Sequence, residues 1–598
     1  MGIYDNDGKI KLTPAPGSGF CGIYAPDGSW YFTLEPGSGF CGSLAPNGSY
    51  YVHNATGEGF GGRYAANGAL RVTSANEYNG AIRVSGLSSL AVSVDFLSTT
   101  SIPSSWMTFT ATGLRTQFDS TGKLTYCSNN LLLNTATLST QTVTVQSGVS
   151  YILSIKGTGS ITNSGANTGT LAGTGASNRV DLKFTASTAS LTLTVTGSVT
   201  NARLSAVTYE TAFRSQDDVD TTAAAYYGPR FDYNPATLAA SGLLVEGAST
   251  NSAPQTGFAS GWSAQGLSTG TDGTLNLMGA AARKQTLNAL NGVHSQYSSS
   301  TVTTTAGSTY TLAWDVKAGT YSKIIVNAGD GTRYAAAVFD ISGTSDVSAT
   351  QTASVSHTGV SGSGKYLGNG WFRLSLTFTA AASSSAHFLE VGAAAATTGN
   401  TFNGFGETTA WTSAGTETYY IASPQYEVSA FATSFIPNYS TSTTRAAETV
   451  QLTGAALTAL QGSAATFIAE WTSGVSPLSS NAYIFTASGG SGLLIWTTNS
   501  YRLTNGTNTI DATLPSGNVQ QVQRTAFAFS AAGRSTVASG GTVATDANGA
   551  AMSGNMYLGS NLGSTAFINE HIRSVGIYTS RLPDATLQSQ SVVGATYV

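Results

Sequence analysis

Apolar and polar residues alternate over short stretches along most of the chain. Residues 191–195 read LTLTV, and residues 90–96 and 143–145 show the same alternation. A period of two places one face of a strand in the core and the other in solvent. Turn residues interrupt these stretches at intervals of about 8–12 residues, a spacing typical of β-sandwiches and jelly rolls. We therefore predict an all-β protein, with N-terminal β repeats of 20 residues followed by serial β-sandwich or jelly-roll domains.

The N-terminal region contains an internal repeat with a constant spacing of 20 residues. Each copy begins with a glycine and continues to an Asp-Gly or Asn-Gly dipeptide; the first residues are Gly2, Gly22, Gly42 and Gly62. These dipeptides tolerate positive φ and are the strongest short-range signal of a β-hairpin. One such hairpin cannot bury a core alone, so it must stack on its neighbours or on other chains. Two arrangements stay open: a small repeat domain within one chain, and a stacked β shaft in a homo-oligomer, which we expect to be a trimer.

Four aromatic residues follow the second and third turns of this repeat, namely Trp30, Tyr31, Tyr50 and Tyr51. Large aromatic side chains of this kind fill a core, bury an interface between chains or stack on a sugar ring. We expect a core or interface role and keep ligand binding as the alternative.

Two of the three cysteines, Cys21 and Cys41, occupy the same position in successive repeats, and Cys127 lies outside the repeat. Cys21 and Cys41 form a disulfide, within or between chains, only if the fold brings them together. Buried free thiols are the alternative. The low and odd cysteine count argues against a disulfide scaffold. The five histidines are scattered and no CxxC pair occurs, so the sequence offers no zinc site.

Charged residues are scarce. The chain has 26 lysines and arginines against 30 aspartates and glutamates, which makes 9% of its 598 residues, where an ordinary soluble domain has about 25%. A net charge of −4 gives no basic surface for nucleic acid. No apolar stretch reaches the roughly 18 residues of a membrane span, and residues 1–5 resemble no secretory signal. We therefore predict no nucleic-acid binding, no membrane insertion and a surface rich in hydroxyl and amide groups.

The densest group of acids is Asp217, Asp218 and Asp220. Glycoside hydrolysis needs two carboxylates that face each other across a cleft, which this sequence pattern does not specify. A solvated loop and a cation site, with calcium as the candidate ion, are the other interpretations. No GxSxG motif and no phosphate-binding P-loop occurs. We predict a protein without catalytic residues and without a required cofactor.

Three further stretches carry a resemblance to known proteins. Residues 228–251, GPRFDYNPATLAASGLLVEGASTN, resemble a connector of structural proteins from tailed bacteriophages and prophages. Residues 422–448, ASPQYEVSAFATSFIPNYSTSTTRAAE, are similar to the end of their carbohydrate-binding-module-like jelly rolls. Residues 554–588 look like the last strands of a concanavalin- or laminin-G-like sandwich. The repeated GIYAPDG pattern also resembles the start of some phage tail or fibre proteins.

The repeat and strand patterns, together with this resemblance, predict five segments and a function. The segments are a β-repeat shaft or attachment region (1–77), a β-sandwich (78–210), an ordered connector (211–250), a carbohydrate-binding-module-like jelly roll (251–440) and a concanavalin- or laminin-G-like sandwich (441–598). The resemblance implies a non-enzymatic virion protein, a fibre, spike or capsid-decoration component on the particle surface. Its partners would be its own copies, other virion proteins and host-surface glycan. The alternatives are a tailspike that depolymerises glycan and a bacterial surface adhesin.

The turn interpretation of the repeat leads to a testable prediction. Replacing Gly28 or Gly48 by valine should disrupt the repeat, because a β-branched residue resists positive φ. Native mass measurement should find a trimer for the parent chain, and the variants should lose assembly or thermal stability. If both variants assemble with unchanged thermal stability, the hairpin interpretation is wrong.

Overall fold

A computed structural model describes residues 89–403, 411–472, 482–497, 500–513, 521–549 and 551–597, together with short paired strands before residue 72 and at Gly406–Glu407. The early strands pair antiparallel with their neighbours in the chain, as the repeat predicts. They are Ile3–Tyr4, Ile10–Lys11, Ile23–Tyr24, Trp30–Tyr31, Gly42–Leu44, Tyr50–Val52, Arg63–Tyr64 and Leu70–Arg71. The predicted turns between them lie outside the described residues. Overall the protein is all-β, which confirms the predicted fold class.

Two large antiparallel sheets face each other and form what we call the base sandwich. One sheet contains Arg230–Tyr233, Ala240–Val245, Glu570–Tyr578, Ala465–Trp471, Gln523–Ser530, Gly533–Ala538 and Ala544–Asp546, with Leu90–Asp95 on the same edge of Glu570–Tyr578. The other contains Met107–Thr110, Thr449–Leu452, Met556–Leu558, Ala482–Ala487, Gly492–Thr497, Ser500–Thr504 and Thr509–Thr513. The base sandwich has one hydrophobic core, which includes Val92, Phe231, Val450 and Phe527.

Strand Ala465–Trp471 is buried along its whole length, which an alternating strand at a solvated surface would not be. The short helix Asp584–Gln590 explains this burial, because its Leu587 packs with Ile468 and Ala528 on the outer face of the sheet. A second short helix, Gly454–Leu460, packs against the base-sandwich core. Within the described ranges, no helix has the length and apolar character needed to cross a membrane.

The base sandwich is assembled from distant parts of the chain. Leu90–Asp95 and Ala240–Val245 both pair with Glu570–Tyr578, and Met107–Thr110 pairs with Thr449–Leu452. Strands from the predicted segments 78–210 and 211–250 therefore belong to the sandwich of the last segment. An alternating sequence specifies which face of a strand is buried but not which strand it pairs with. The alternation therefore could not predict this pairing.

The first inserted sandwich lies between Met107–Thr110 and Arg230–Tyr233 in the sequence. Its sheets are Gln141–Thr144, Ser190–Thr196, Ser160–Gly165 and Gly169–Ala172, and Gly175–Thr185, Ser150–Gly157 and Val199–Val207. Leu153, Ile161 and Leu193 belong to its core. The short pairs Thr116–Phe118 with Leu124–Tyr126, and Asn129–Asn130 with Tyr226–Tyr227, connect it to the base.

The second inserted sandwich lies between Ala240–Val245 and Thr449–Leu452. Its first sheet contains Trp262–Gln265, Ser295–Ser298, Val302–Thr304, Ser384–Ala393, Lys323–Gly329, Tyr334–Asp340 and Gln351–Val355. Its second contains Leu267–Gly270, Arg283–Leu287, Thr418–Glu427, Thr309–Ala318, Trp371–Thr379, Thr358–Tyr366 and Val347–Ser348. The pair Ser249–Asn251 and Thr443–Arg445 closes the sandwich at the point where the chain enters and leaves it.

The two inserted sandwiches also contact each other through a small apolar cluster. Leu124, from the hairpin that leads into the first, packs with Leu277, Trp371 and Phe435 of the second. The Leu124 amide also donates a hydrogen bond of 2.9 Å to the carbonyl of Leu277. This contact gives the two sandwiches a defined relative position.

A buried histidine pair sits at one end of the second inserted sandwich. The Ala381 amide donates to Nδ1 of His357 at 3.2 Å, so His357 carries its proton on Nε2 and donates it to Nε2 of His387, also at 3.2 Å. The proton of His387 therefore lies on Nδ1, which faces Thr304 Oγ1 at 3.4 Å. Both rings are neutral in this arrangement, because a further proton on either would place two N–H groups against each other.

Acid should therefore destabilise this sandwich. Burial lowers the pKa of both histidines, that of His387 to about 4, with Asp330 opposing and Arg333 assisting the shift. A histidine with a lowered pKa stabilises the fold above its ordinary pKa of about 6.5 and loses this contribution as the pH falls. We expect a loss of about 1–2 kcal/mol between pH 7.5 and pH 5.

The measurement is the urea midpoint at the two pH values, for the parent chain and for His387→Gln. The variant should be less stable at pH 7.5 but should have a smaller pH dependence. An unchanged pH dependence in the variant would contradict the neutral pair.

Candidate functional site

The candidate aromatic residues of the repeat lie on paired strands. Trp30–Tyr31 pairs with Gly42–Leu44, which pairs with Tyr50–Val52. The three strands belong to one six-stranded antiparallel sheet. The roles of these aromatic side chains stay a prediction, and Cys21 and Cys41 lie outside the described residues.

The acidic cluster is held by arginines. Arg214 binds Asp217 in a bidentate manner, with Nε 2.7 Å from Oδ2 and Nη2 3.0 Å from Oδ1. Arg203 Nη2 lies 2.7 Å from Oδ1 of Asp218 and 3.0 Å from Oδ1 of Asp220. Asp217 is fully buried, whereas the other two carboxylates are partly exposed. The ion pairs of Arg203 fasten the stretch after the first inserted sandwich to the last strand of that sandwich.

The same contacts bear on ion binding at the cluster. Burial raises the pKa of Asp217, and its contact with Arg214 acts in the opposite direction. Among the described residues, no three His, Cys, Asp or Glu side chains are grouped as a metal site would require. A cation at Asp217, Asp218 and Asp220 stays a prediction, and it would have to compete with three arginines, Arg179, Arg203 and Arg214.

A larger buried group of charges lies where the three sandwiches meet. We call it the arginine–glutamate cluster; its members are Arg115, Arg230, Arg445, Glu246, Glu427 and Glu448. Each is at most 2% exposed. Three positive and three negative side chains leave the cluster without net charge when all are ionised.

Glu448 and Arg230 form the centre of the cluster. Arg230 donates to Glu448 through Nε at 2.8 Å and Nη2 at 2.5 Å, a two-bond geometry that combines strength with orientation. The amide of Glu246 donates to Glu448 at 2.9 Å, and Arg115 Nη1 lies 3.6 Å from the same carboxylate. Arg115 also donates to the carbonyl of Gly228 at 2.8 Å. The Glu448 carboxylate therefore joins strands that are distant in sequence.

Glu246 bridges two arginines. Its Oε2 lies 2.7 Å from Arg230 Nη2 and 3.0 Å from Arg445 Nη1. The amide and hydroxyl of Ser434 donate to the same carboxylate at 2.9 and 2.5 Å. Burial alone would raise the pKa of Glu246, but Arg445, Arg230 and Ser434 together lower it to about 2. Glu246 is therefore ionised at neutral pH.

Glu427 extends the cluster into the second inserted sandwich. It accepts hydrogen bonds from the amide and hydroxyl of Thr433, both at 2.8 Å, and from Gln425 Nε2 at 2.7 Å. Ser249 Oγ donates to it at 2.5 Å. Arg445 Nη1 donates to the Thr433 hydroxyl at 3.2 Å, which links Glu427 to the other charges.

Five of the six members belong to the two stretches that carry the resemblance, 228–251 and 422–448. Sequence reasoning quoted these stretches but did not foresee that their charged residues meet. The available signal was the presence of isolated Arg and Glu residues in apolar contexts of a chain that is otherwise poor in charge. Every carboxylate in the cluster is already bound by arginine or by amide and hydroxyl donors, so the cluster holds distant segments of the chain together.

Comparisons with known proteins add little. No family model and no curated protein matches the chain. Among solved structures, domains LG4-5 of the mouse laminin α1 chain share 10% identity over 52% of this chain and 89% of that one, with a TM-score of 0.16. A mutant of Trypanosoma rangeli sialidase with trans-sialidase activity shares 11% identity over 98% and 95%, with a TM-score of 0.18. Similarities this distant carry no argument about substrate or activity.

The cluster can be tested by removing one charge while keeping the shape of the side chain. Glu448→Gln should destabilise the protein by about 3–5 kcal/mol, because it leaves buried arginines without their partner. Asp511→Asn is the matched control, since its ion pair with Arg502 is partly exposed and should contribute about 0–1 kcal/mol. Urea unfolding of both variants gives the comparison. Equal and small effects would show that the cluster does not hold the sandwiches together.

Proposed function

We propose that the chain is a non-enzymatic structural protein of a tailed-bacteriophage particle, a fibre, spike or decoration component that adheres to host-surface glycan. The observation that carries the proposal is the nested architecture. Two sandwiches are inserted into a third, and the buried arginine–glutamate cluster lies at the crossing points of the chain. Such an arrangement suits a protein that presents binding surfaces in a fixed orientation.

The double attachment of each inserted sandwich supports this function. The second inserted sandwich enters and leaves through Ser249–Asn251 and Thr443–Arg445, which pair directly with each other. Asn251 secures this entrance, because its Nδ2 donates to the carbonyls of Pro424 and Ile436 at 3.0 and 2.8 Å. A domain held by two adjacent strands has less freedom than one on a single linker. The display surface is therefore stiff, which reduces the entropy lost on binding.

The surface chemistry supports adhesion to neutral polar material. Exposed threonines face each other on the outer face of the first inserted sandwich, with hydroxyl pairs Thr142 and Thr192 at 2.9 Å and Thr162 and Thr170 at 3.2 Å. Neutral hydroxyls that bind sugar hydroxyls have a smaller desolvation cost than charged side chains would have. Several copies in one particle would convert weak single contacts into strong attachment.

The surroundings of Asp217 and Asp218, the carboxylates that a glycan depolymerase would use, favour the non-enzymatic function. Asp217 is buried against Arg214, and Asp218 binds Arg203. A glycosidase needs one carboxylic acid that protonates the leaving group and a second carboxylate that faces it. Carboxylates neutralised by arginine suit neither role.

The decisive experiment incubates the purified chain with immobilised bacterial surface polysaccharides. We expect retention of the protein without release of reducing ends, because the chain binds glycan but does not cleave it. Asp218 is the more exposed of the two carboxylates to be replaced, and the melting temperature of each variant verifies that it is folded. Release of reducing ends that is abolished by Asp218→Asn or Asp217→Asn would establish the depolymerase instead, and absence of retention on any polysaccharide would contradict adhesion.

A further inference from the structure

A cleft of about 230 Å³ opens between the two inserted sandwiches. The first contributes Gly148, Ser150 and Thr208 to its walls, and the second contributes Thr256 and Gly257 among others. Neither sandwich forms the cleft alone. The apolar contact around Leu124 and Leu277 fixes the two walls relative to each other, so the cleft is preformed.

The lining of the cleft is polar but carries no charge. Its lining residues, all within the described part of the chain, supply hydroxyl and amide groups from Ser150, Thr208, Thr256 and Asn276 but no ionised side chain. A bound carboxylate or ammonium group would lose its water without gaining a counter-ion, which is unfavourable. The cleft therefore suits a neutral ligand rich in hydroxyl groups.

Aromatic and thioether side chains give the cleft an apolar side as well. Tyr439, Phe435 and Met278 belong to the lining. Tyr439 lies directly against Gly148, where a Cβ atom would come within 2.8 Å of the tyrosine ring and where φ is +86°. Only glycine accommodates both that backbone conformation and the neighbouring ring. Gly148 thus allows the Tyr439 ring to form part of the wall.

Phe435 forms a rigid part of the wall. Its ring centroid lies 5.4 Å from the guanidinium carbon of Arg373, and its carbonyl accepts a hydrogen bond of 2.5 Å from Thr116 Oγ1. Arg373 in turn binds Asp315 at 3.1 Å and the carbonyl of Ser423, another lining residue, at 2.7 Å. A wall held from both sandwiches requires no rearrangement when a ligand enters.

From this geometry we infer that the cleft binds one neutral sugar unit of a glycan. The volume lies below the roughly 300–1,000 Å³ of pockets that hold drug-sized ligands, so it accommodates a single ring. A pyranose has one apolar C–H face and a rim of hydroxyls, which matches the aromatic and thioether groups beside the neutral polar groups. The inference rests on the proposed adhesive function and names its binding site and ligand class.

A substitution at Gly257 tests the cleft and should leave the fold intact. A Cβ atom on Gly257 would meet no other atom within 4 Å, and its φ is not in the left-handed region, so Gly257→Trp should add a bulky side chain to the cleft wall without strain. The matched control is Gly343→Trp, because Gly343 is also open and unstrained, lies in the same sandwich and does not line the cleft. Equal melting temperatures of the two variants and the parent verify that both are folded.

The probes are the methyl glycosides of glucose, galactose and N-acetylglucosamine, with the methyl glycoside of N-acetylneuraminic acid as the acidic comparison. Saturation-transfer NMR should detect at least one neutral glycoside on the parent and on Gly343→Trp, with dissociation constants of about 1 mM, and should lose the signal on Gly257→Trp. Stronger transfer to the acidic glycoside would overturn the ligand class.

Polysaccharide retention separates failure of this site from failure of the proposed function. If Gly257→Trp still binds the glycosides and is retained on polysaccharide like the parent, the cleft is not the binding site and the adhesive function stands. If the parent binds neither glycosides nor polysaccharide, the adhesive function fails together with the cleft. Retention that falls in Gly257→Trp alone supports both.

Discussion

The arrangement of the three sandwiches depends on burying six charges together. An isolated carboxylate or guanidinium in a protein interior costs several kcal/mol of desolvation, which only good geometry and complete pairing can offset. The arginine–glutamate cluster gives every carboxylate arginine, amide or hydroxyl partners, and its Arg115, Arg230 and Arg445 come from different passages of the chain between sandwiches. Any arrangement that misplaces one passage leaves a buried charge without its partner. The cluster therefore selects one arrangement of the sandwiches more than it adds net stability.

The sequence predicted the fold class and the early strand pairs because both depend on local information. Period-two alternation and Asp-Gly or Asn-Gly turns act over a few residues, and tertiary contacts reinforce them here. The partners of the strands depend on contacts across the whole chain. Ser89 accepts a hydrogen bond from Thr579, 490 residues later, and no local pattern encodes such a pairing. Local sequence patterns therefore do not predict that one sandwich is inserted into another.

The candidate sites likewise depend on contacts between residues that are distant in the sequence. The sequence pointed to Asp217, Asp218 and Asp220 because they are close together in the chain. In the structure these carboxylates form ion pairs with arginines, and some of those arginines lie further away in the sequence. Arg203 lies on a strand, and the sequence pattern indicated no role for its charge there. In contrast, Glu246 and Glu448 are single acids separated by about 200 residues, and only the fold unites them on Arg230. Clusters formed by long-range contacts need either a structure or covariation between homologues to become visible.

The nested insertion also constrains the order in which the chain can fold. Glu570–Tyr578 pairs with Leu90–Asp95, Ala240–Val245 and Ala465–Trp471, so the base sandwich cannot close until the last tenth of the chain is present. Each inserted sandwich has its own core and contains all its strands within one continuous stretch. Local contacts form faster than distant ones, so we expect the inserted sandwiches to fold first and the base to close around their connections. The charges of the cluster are buried in that last step, when every partner is available.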